Sequence, residues 1–190
     1  MDLVSEAIIF AAKAHDGMTR KMSGAPYVLH PMEAAVIVGT MTDDHEIIAA
    51  AALHDVVEDA GIDIEKIEEM FGHRVRTLVG AETENKRAEL PPESTWRVRK
   101  EETLEALAKT DDISVLMLWI GDKLANIRSI YRSWKLLGDN VWGAFNQKDR
   151  EEQAWYYRTV AELTKEISYT SAWIEYNTLT ELIFKKDDVK

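Results

Sequence analysis

The sequence predicts an all-α protein, a bundle of about eight to ten helices. Three observations carry that expectation. Apolar residues recur at helical spacing in almost every long segment. No segment alternates apolar and polar residues for any length, as a half-buried strand would. Helix breakers are sparse, with 9 glycines and 4 prolines in 190 residues.

The elements follow in order. Residues 3–15 put Leu3, Ala7, Phe10, Ala11 and Ala14 on one side, and Gly17 ends that helix. Gly17, Gly24 and Pro26 make 16–30 a connection. A second helix is expected over 31–41, with Pro31 in its first turn, where a backbone N–H has no helical partner anyway. Thr42, Asp43 and Asp44 offer capping groups for a third helix over 44–59, and Gly61 stops it. Short helices follow over 64–70 and 73–83. Residues 84–95 are charged and carry Pro91-Pro92, so they read as a loop. Helices resume over 96–109 and 112–137; the latter is broadly apolar in its first half and therefore central. Two more are expected over 148–168 and 171–185. No repeat, linker or low-complexity tract divides the chain, so 1–190 reads as one domain.

Composition narrows the function. Hydrophobic residues make up 46%, which suits a folded domain, and no apolar run is long enough to span a bilayer. The first residues show no signal peptide, and cysteine is absent, so disulfides and thiolate metal sites are excluded and a cytoplasmic location is expected. The net charge of −11 opposes general binding to nucleic acid or anionic membrane. A small anionic substrate would need a local basic cluster or a metal to overcome that field.

The stretch Leu53-His54-Asp55-Val56-Val57-Glu58-Asp59 is the most informative. Placed at the end of the third helix, it stacks His54 over Glu58 and Asp55 over Asp59. One imidazole and three carboxylates on a narrow patch repel and desolvate each other unless a cation compensates. A solvated acidic helix end is the plainer reading of Glu58 and Asp59. But acids at a helix C-terminus oppose its dipole, and the apolar flanks imply partial burial. Two further residues can complete a ligand set. His30, before Pro31, is either structural or a ligand. Asp122 lies within the apolar run Leu118-Trp119-Ile120-Gly121-Asp122-Lys123-Leu124, where it either pairs with Lys123 or Arg128 or faces a pocket. Asn126 and Ser129 continue its polar stripe. Two imidazoles and two carboxylates suit manganese, iron, zinc or magnesium with positions left open for water. Arg20-Lys21 adds a guanidinium fork and a point charge suited to phosphate.

These residues together resemble a known family. The order His30, then His54-Asp55, then Asp122 is similar to the HD phosphohydrolase superfamily. More narrowly, Ala14-His15-Asp16-Gly17, Arg20-Lys21, Gly24-Ala25-Pro26-Tyr27 and His30-Pro31 resemble the hydrolase domain of RelA/SpoT-type alarmone enzymes. So do the stretch from Ala51 to Asp59, Phe71-Gly72, and Gly121-Asp122-Lys123-Leu124-Ala125-Asn126-Ile127-Arg128. The resemblance covers 1–135, the metal and substrate core, and thins over the C-terminal helices of 136–190. It implies an all-helical HD domain of the small stand-alone type, a Mn(II) cofactor, and hydrolysis of the 3′-pyrophosphate of guanosine tetra- or pentaphosphate. It implies that His30, His54, Asp55 and Asp122 hold the metal and that Glu58 and Asp59 position and activate water. Arg20 and Lys21 would face the phosphates or base, and Asn126 and Ser129 the nucleotide. The implied partner is a small phosphorylated nucleotide, with a homo-oligomer possible.

The chain departs from the family pattern at two places. Ala125 stands where the family usually has histidine, and Gly121 where it usually has alanine. These bear on the substrate more than on the metal. The rival readings are an HD-type phosphatase acting on another nucleotide or a dinucleotide cofactor, a nucleotide-binding module without turnover, and a structural helical partner. The aromatic tail residues Trp142, Phe145, Trp155, Tyr156 and Tyr157 are expected mainly in the core.

Overall fold

Aspartate punctuates this chain. Asp2, Asp44, Asp63, Asp112 and Asp149 each sit at a helix N-cap and accept a backbone N–H of the first turn, as does Thr170. The computed structural model describes residues 1–87 and 89–185. Among them are nine α-helices, two short 3-10 helices and no strand. The α-helices are α1 (Leu3–Ala14), α2 (Leu29–Val38), α3 (His45–Leu53), α4 (Ile64–Phe71), α5 (His73–Glu82), α6 (Pro92–Leu107), α7 (Ile113–Leu137), α8 (Arg150–Leu163) and α9 (Ser171–Ile183).

The core is built around α7, which packs against α2, α3, α5 and α9. Every residue from Val115 to Asp122 is buried, so its first half is enclosed on all sides. Helix α3 is enclosed over its second half. Its Ala49-Ala50-Ala51-Ala52 run is fully buried, and such small side chains let α1 and α2 pack closely against it. Gly121 serves the same purpose between α2 and α7. A Cβ there would lie 2.5 Å from Val38 Cγ2 and 3.2 Å from the Ala34 carbonyl oxygen. Only a glycine lets these two helices come this close, and they carry His30 and Asp122.

Four expectations need correction. The third helix ends at Leu53, and 54–60 form a turn that contains the His-Asp and Glu-Asp pairs. The reason is local: His54 Nδ1 bonds the Ala51 carbonyl at 2.8 Å, taking the acceptor that the Asp55 N–H would use to continue the helix. His54 therefore does not stack over Glu58 along a regular helix. Helix α6 begins at Pro92, so only 84–91 is left of the expected loop; Pro92 occupies the first turn. Residues Gly138–Ala144 form a 3-10 helix where none was expected, after Gly138 adopts φ 56° and ends α7. The expected helix over 148–168 breaks at Thr164, whose hydroxyl bonds the Val160 carbonyl at 2.7 Å.

Candidate metal centre and its pocket

Three elements deliver the centre: the start of α2 brings His30, the turn after α3 brings His54 and Asp55, and the middle of α7 brings Asp122. One ligand atom from each of His30, His54 and Asp122 falls within 4.8 Å of the others, and all three residues are buried. Asp122 Oδ1 lies 2.9 Å from His30 Nε2 and 3.5 Å from His54 Nε2. Asp55 stands beside them, its Oδ2 3.2 Å from His54 Nε2 and 3.5 Å from His30 Nε2.

The hydrogen-bond pattern fits a cation. Because His54 Nδ1 faces a carbonyl, it carries the proton, and Nε2 presents its lone pair towards Asp55 and Asp122. That buried Nε2 has no hydrogen-bond partner. A lone pair facing carboxylate oxygens is unfavourable unless a proton or metal ion lies between them. Burial acts to lower the pKa of His54, but Asp55 and Asp122 outweigh it and hold the imidazole well above 6.5. Burial likewise opposes ionisation of Asp55 and Asp122, yet His54, His30 and Lys123 keep both carboxyls below the usual carboxylate range.

Around the centre, anchoring contacts come from far along the chain. The Tyr27 hydroxyl is shared between Asp55 Oδ2, at 3.0 Å, and Asp59. Lys86 pairs with Asp59 and reaches Glu58 at 3.4 Å. Glu58 Oε2 accepts the Glu84 backbone N–H at 3.1 Å, and burial raises the Glu58 pKa. Glu84 is itself clamped by buried Arg99 and by Lys100. Asn126 links two functions: its Nδ2 donates to Asp122 Oδ1 at 2.6 Å, and its Oδ1 accepts from Arg20 Nη2 at 3.0 Å. The Arg20 guanidinium lies 5.5 Å from the centre of the Tyr27 ring.

Two adjoining cavities open on these groups. One of about 170 Å³ holds the centre, with Glu58, Asp59, Glu82, Trp119 and Lys123 in its wall. The other, about 460 Å³, is lined by Arg20, Lys21, Lys86, Arg99 and Lys100, and by the apolar Met18, Met22, Trp96 and Phe145. Arg20, Tyr27, Glu58, Asp59, Lys100 and Asn126 line both. Each residue singled out from the sequence thus borders one or both cavities: the four candidate metal ligands and Glu58, Asp59, Arg20 and Asn126 the first, Lys21 and Ser129 the second. Of the alternatives for Asp122, the pair with Lys123 forms through Oδ2 while Oδ1 faces the imidazoles; Arg128 binds Glu175 and Glu33 instead.

Sequence reasoning missed Tyr27, Glu82, Glu84, Lys86, Lys100 and Tyr156 as site residues. Tyr27 had a usable signal, three positions before His30 at the entry to a helix. The 84–91 segment gave only its charge. His15 is a packing residue, stacked on Tyr27 at 5.0 Å, while His45 and His73 are exposed. Phe145 and Tyr156 reach the cavities, but Trp142 and Tyr157 are core residues.

An all-helical domain whose buried heart is a His/His/Asp cluster under a cation-lined mouth is a metal-binding helical domain. Residues 7–142 match the HD domain family, and the chain belongs to that family. The HD domain binds a divalent metal, and the His30–His54–Asp122 cluster is where this chain could hold one. The chain is 34% identical over 128 residues to the guanosine-3′,5′-bis(diphosphate) 3′-pyrophosphohydrolase of Aquifex aeolicus, covering 67% of this chain and 18% of that protein. It is 31% identical over 132 residues to the GTP pyrophosphokinase of Myxococcus xanthus, covering 68% of this chain and 17% of that one. The matched region thus spans less than a fifth of these relatives. Among solved structures, a metazoan orthologue of SpoT, described as hydrolysing ppGpp, superposes with a TM-score of 0.75 at 23% identity, over 96% of each chain. The crystal structure of lmo0812 from Listeria monocytogenes EGD-e gives 0.72 at 29% identity, over 83% of this chain and 99% of that one.

Proposed function

We propose that this chain is a metal-dependent phosphohydrolase that removes the 3′-pyrophosphate of guanosine tetra- or pentaphosphate, with Mn(II) as its ion. The observation that carries the reading is the unpartnered His54 Nε2 facing Asp55 and Asp122, beneath a mouth lined by Arg20, Lys21, Lys86 and Lys100 in a chain of net charge −11. The 34% identical Aquifex relative, named for this activity, supports it. His30, His54, Asp55 and Asp122 would hold the ion. When bound, the ion would supply Lewis-acid polarisation of a phosphoryl oxygen and would lower the pKa of the attacking water.

The chain's own residues do the rest. Glu58, its pKa raised by burial and its Oε2 fixed by the Glu84 N–H, accepts the proton of the attacking water. Asp59, held by Tyr27 and Lys86, orients that water. Water adds to the 3′ phosphorus and the bond to the 3′ oxygen breaks; that oxygen takes up a proton, balancing the one passed to Glu58, and the products are pyrophosphate and guanosine di- or triphosphate. Arg20, set by Asn126, neutralises the phosphate charge as it develops, and the exposed Lys21 at the rim of the cavity attracts the anionic substrate. Met18, Met22, Trp96 and Phe145 offer the base an apolar wall. Since Phe145 lies beyond 1–135, we also propose that 1–135 and 136–190 act as one domain, the tail shaping substrate fit.

The test is turnover of guanosine tetraphosphate by metal-stripped protein after adding Mn(II), with the released phosphate species identified. Pyrophosphate and guanosine diphosphate should appear together and vanish in Asp55→Ala. No product, with Mn(II) still bound, would sink the alarmone reading and leave the second one. That reading, another phosphorylated nucleotide on the same centre, is favoured by a 320 Å³ cavity that buried Ala125 shares with Arg20 and Ser129.

A further inference from the structure

The 170 Å³ cavity extends past the two imidazoles to a second polar group that the proposed reaction does not use. Asp122 divides its carboxylate. Oδ1 points to His30 and His54, and Oδ2 pairs with the Lys123 ammonium. On its other side that ammonium meets Glu82 Oε1 at 2.8 Å, and it lies 4.7 Å from the centre of the Trp119 ring. Glu82 is buried, and its second oxygen, Oε2, has no partner. Both residues line the same cavity as the candidate metal ligands.

A carboxylate that serves one cation through each oxygen is how a two-metal site shares a bridging ligand. Here the first position has imidazole donors, and the second is filled by a side-chain cation among oxygens. Asp122 Oδ2, Glu82 Oε1 and the unpartnered Glu82 Oε2 are the hard oxygen donors that a divalent ion such as manganese or magnesium takes. We infer that Asp122 and Glu82 form a latent second divalent-cation site beside the metal centre, which the Lys123 ammonium occupies as a built-in cation. Lys123 then keeps the centre to one exchangeable ion and supplies the second positive charge permanently, whatever the metal supply. The inference rests on His30, His54 and Asp122 holding the first ion, but not on the identity of the substrate.

The experiment counts Mn(II) bound per folded chain by elemental analysis, and reads pairs of ions from the exchange-coupled multiline signal in electron paramagnetic resonance. The intact protein should bind about one Mn(II) per chain with no coupled signal. Lys123→Ala should bind about two, with the coupled signal, because the oxygens of Asp122 and Glu82 are left without the cation between them. Lys123→Arg keeps a cation and should stay at about one, and Lys123→Ala/Glu82→Ala should also stay at about one because the second donor is gone. Lys123→Ala should melt lower than the intact protein when stripped and recover on adding Mn(II), since a metal replaces the lost charge. A folded Lys123→Ala that still binds one ion, a coupled pair in the intact protein, or a Lys123→Ala chain that stays unfolded at every Mn(II) concentration each overturn the inference. An intact protein that binds no Mn(II) removes the first site, and the inference with it.

Discussion

At the scale of single residues, the candidate site separates into groups in contact with the imidazoles and groups set apart from them. Asp55 touches both imidazoles and the Tyr27 hydroxyl. Glu58 touches neither imidazole within ion-pair range and is fixed by a backbone N–H and Lys86. The two should therefore fail differently. Asp55→Ala is expected to lose Mn(II) binding and turnover together. Glu58→Gln keeps the shape and the N–H contact, so it should bind Mn(II) normally while kcat falls by about 10²–10⁴, the worth of a positioned base. Calorimetric Mn(II) titration alongside steady-state kinetics distinguishes them, and a Glu58→Gln enzyme of near-normal kcat removes Glu58 as the base. The candidate ligands and acids were legible because each sits in a short local pattern. The residues that hold them were not. Glu84 reaches Glu58 across 26 positions and Lys86 reaches Asp59 across 27, and no periodicity in a sequence records such a pairing.

At the scale of elements, the start of α3 was legible from its capping aspartate, Asp44, and the other helices from their apolar period. The turn after α3 was not, because its cause is a side chain competing for a carbonyl rather than a glycine or proline. Gly121 was visible in the sequence as a departure from the family, and its physical reason needed the neighbouring helix. Gly121→Ala would push a Cβ into Val38 and the Ala34 carbonyl, and α2 and α7 would have to separate. The expected cost is about 1–3 kcal/mol of stability, typical of overpacking. Because His30 lies on α2 one turn before Ala34, Mn(II) affinity should fall as well. Adding Val38→Ala removes the 2.5 Å clash and should recover part of both losses, a coupling that a double-mutant cycle by chemical denaturation measures. Strict additivity of the two changes would mean that the helices do not meet as described.

At the scale of the whole molecule, charge and protonation set the working conditions. The chain carries −11 overall, yet Arg20, Lys21, Lys86, Arg99 and Lys100 gather at one cavity. Much of this charge faces solvent, so salt should screen both the general repulsion and the local attraction. Neutralising Lys21, which is exposed, should raise KM with little change in kcat, and the defect should shrink as ionic strength rises. A KM effect independent of salt would argue for a direct, short-range contact instead.

Metal binding and stability should be linked through His54. Its folded pKa is held well above 6.5, so the charged imidazole stabilises the metal-free fold below about that pH, and this contribution is lost as pH rises through the raised value. Asp55 and Asp122 work in the other direction: their depressed pKa values stabilise the fold above about 3.8 and fail only in acid. On the alkaline side, then, the metal-free centre keeps two carboxylates and loses the proton that reconciled them. A divalent ion takes that proton's place, and it competes with the proton for His54 Nε2. The rise in Tm on adding Mn(II) should therefore be small at mildly acidic pH and grow as pH climbs towards the raised pKa of His54. In Asp122→Asn the rise should be lost at every pH, because the oxygen facing both imidazoles no longer carries the charge. Thermal melts across pH, with and without Mn(II), decide the matter. A rise that is flat with pH, or largest in acid, would mean that His54 does not exchange its proton for the metal.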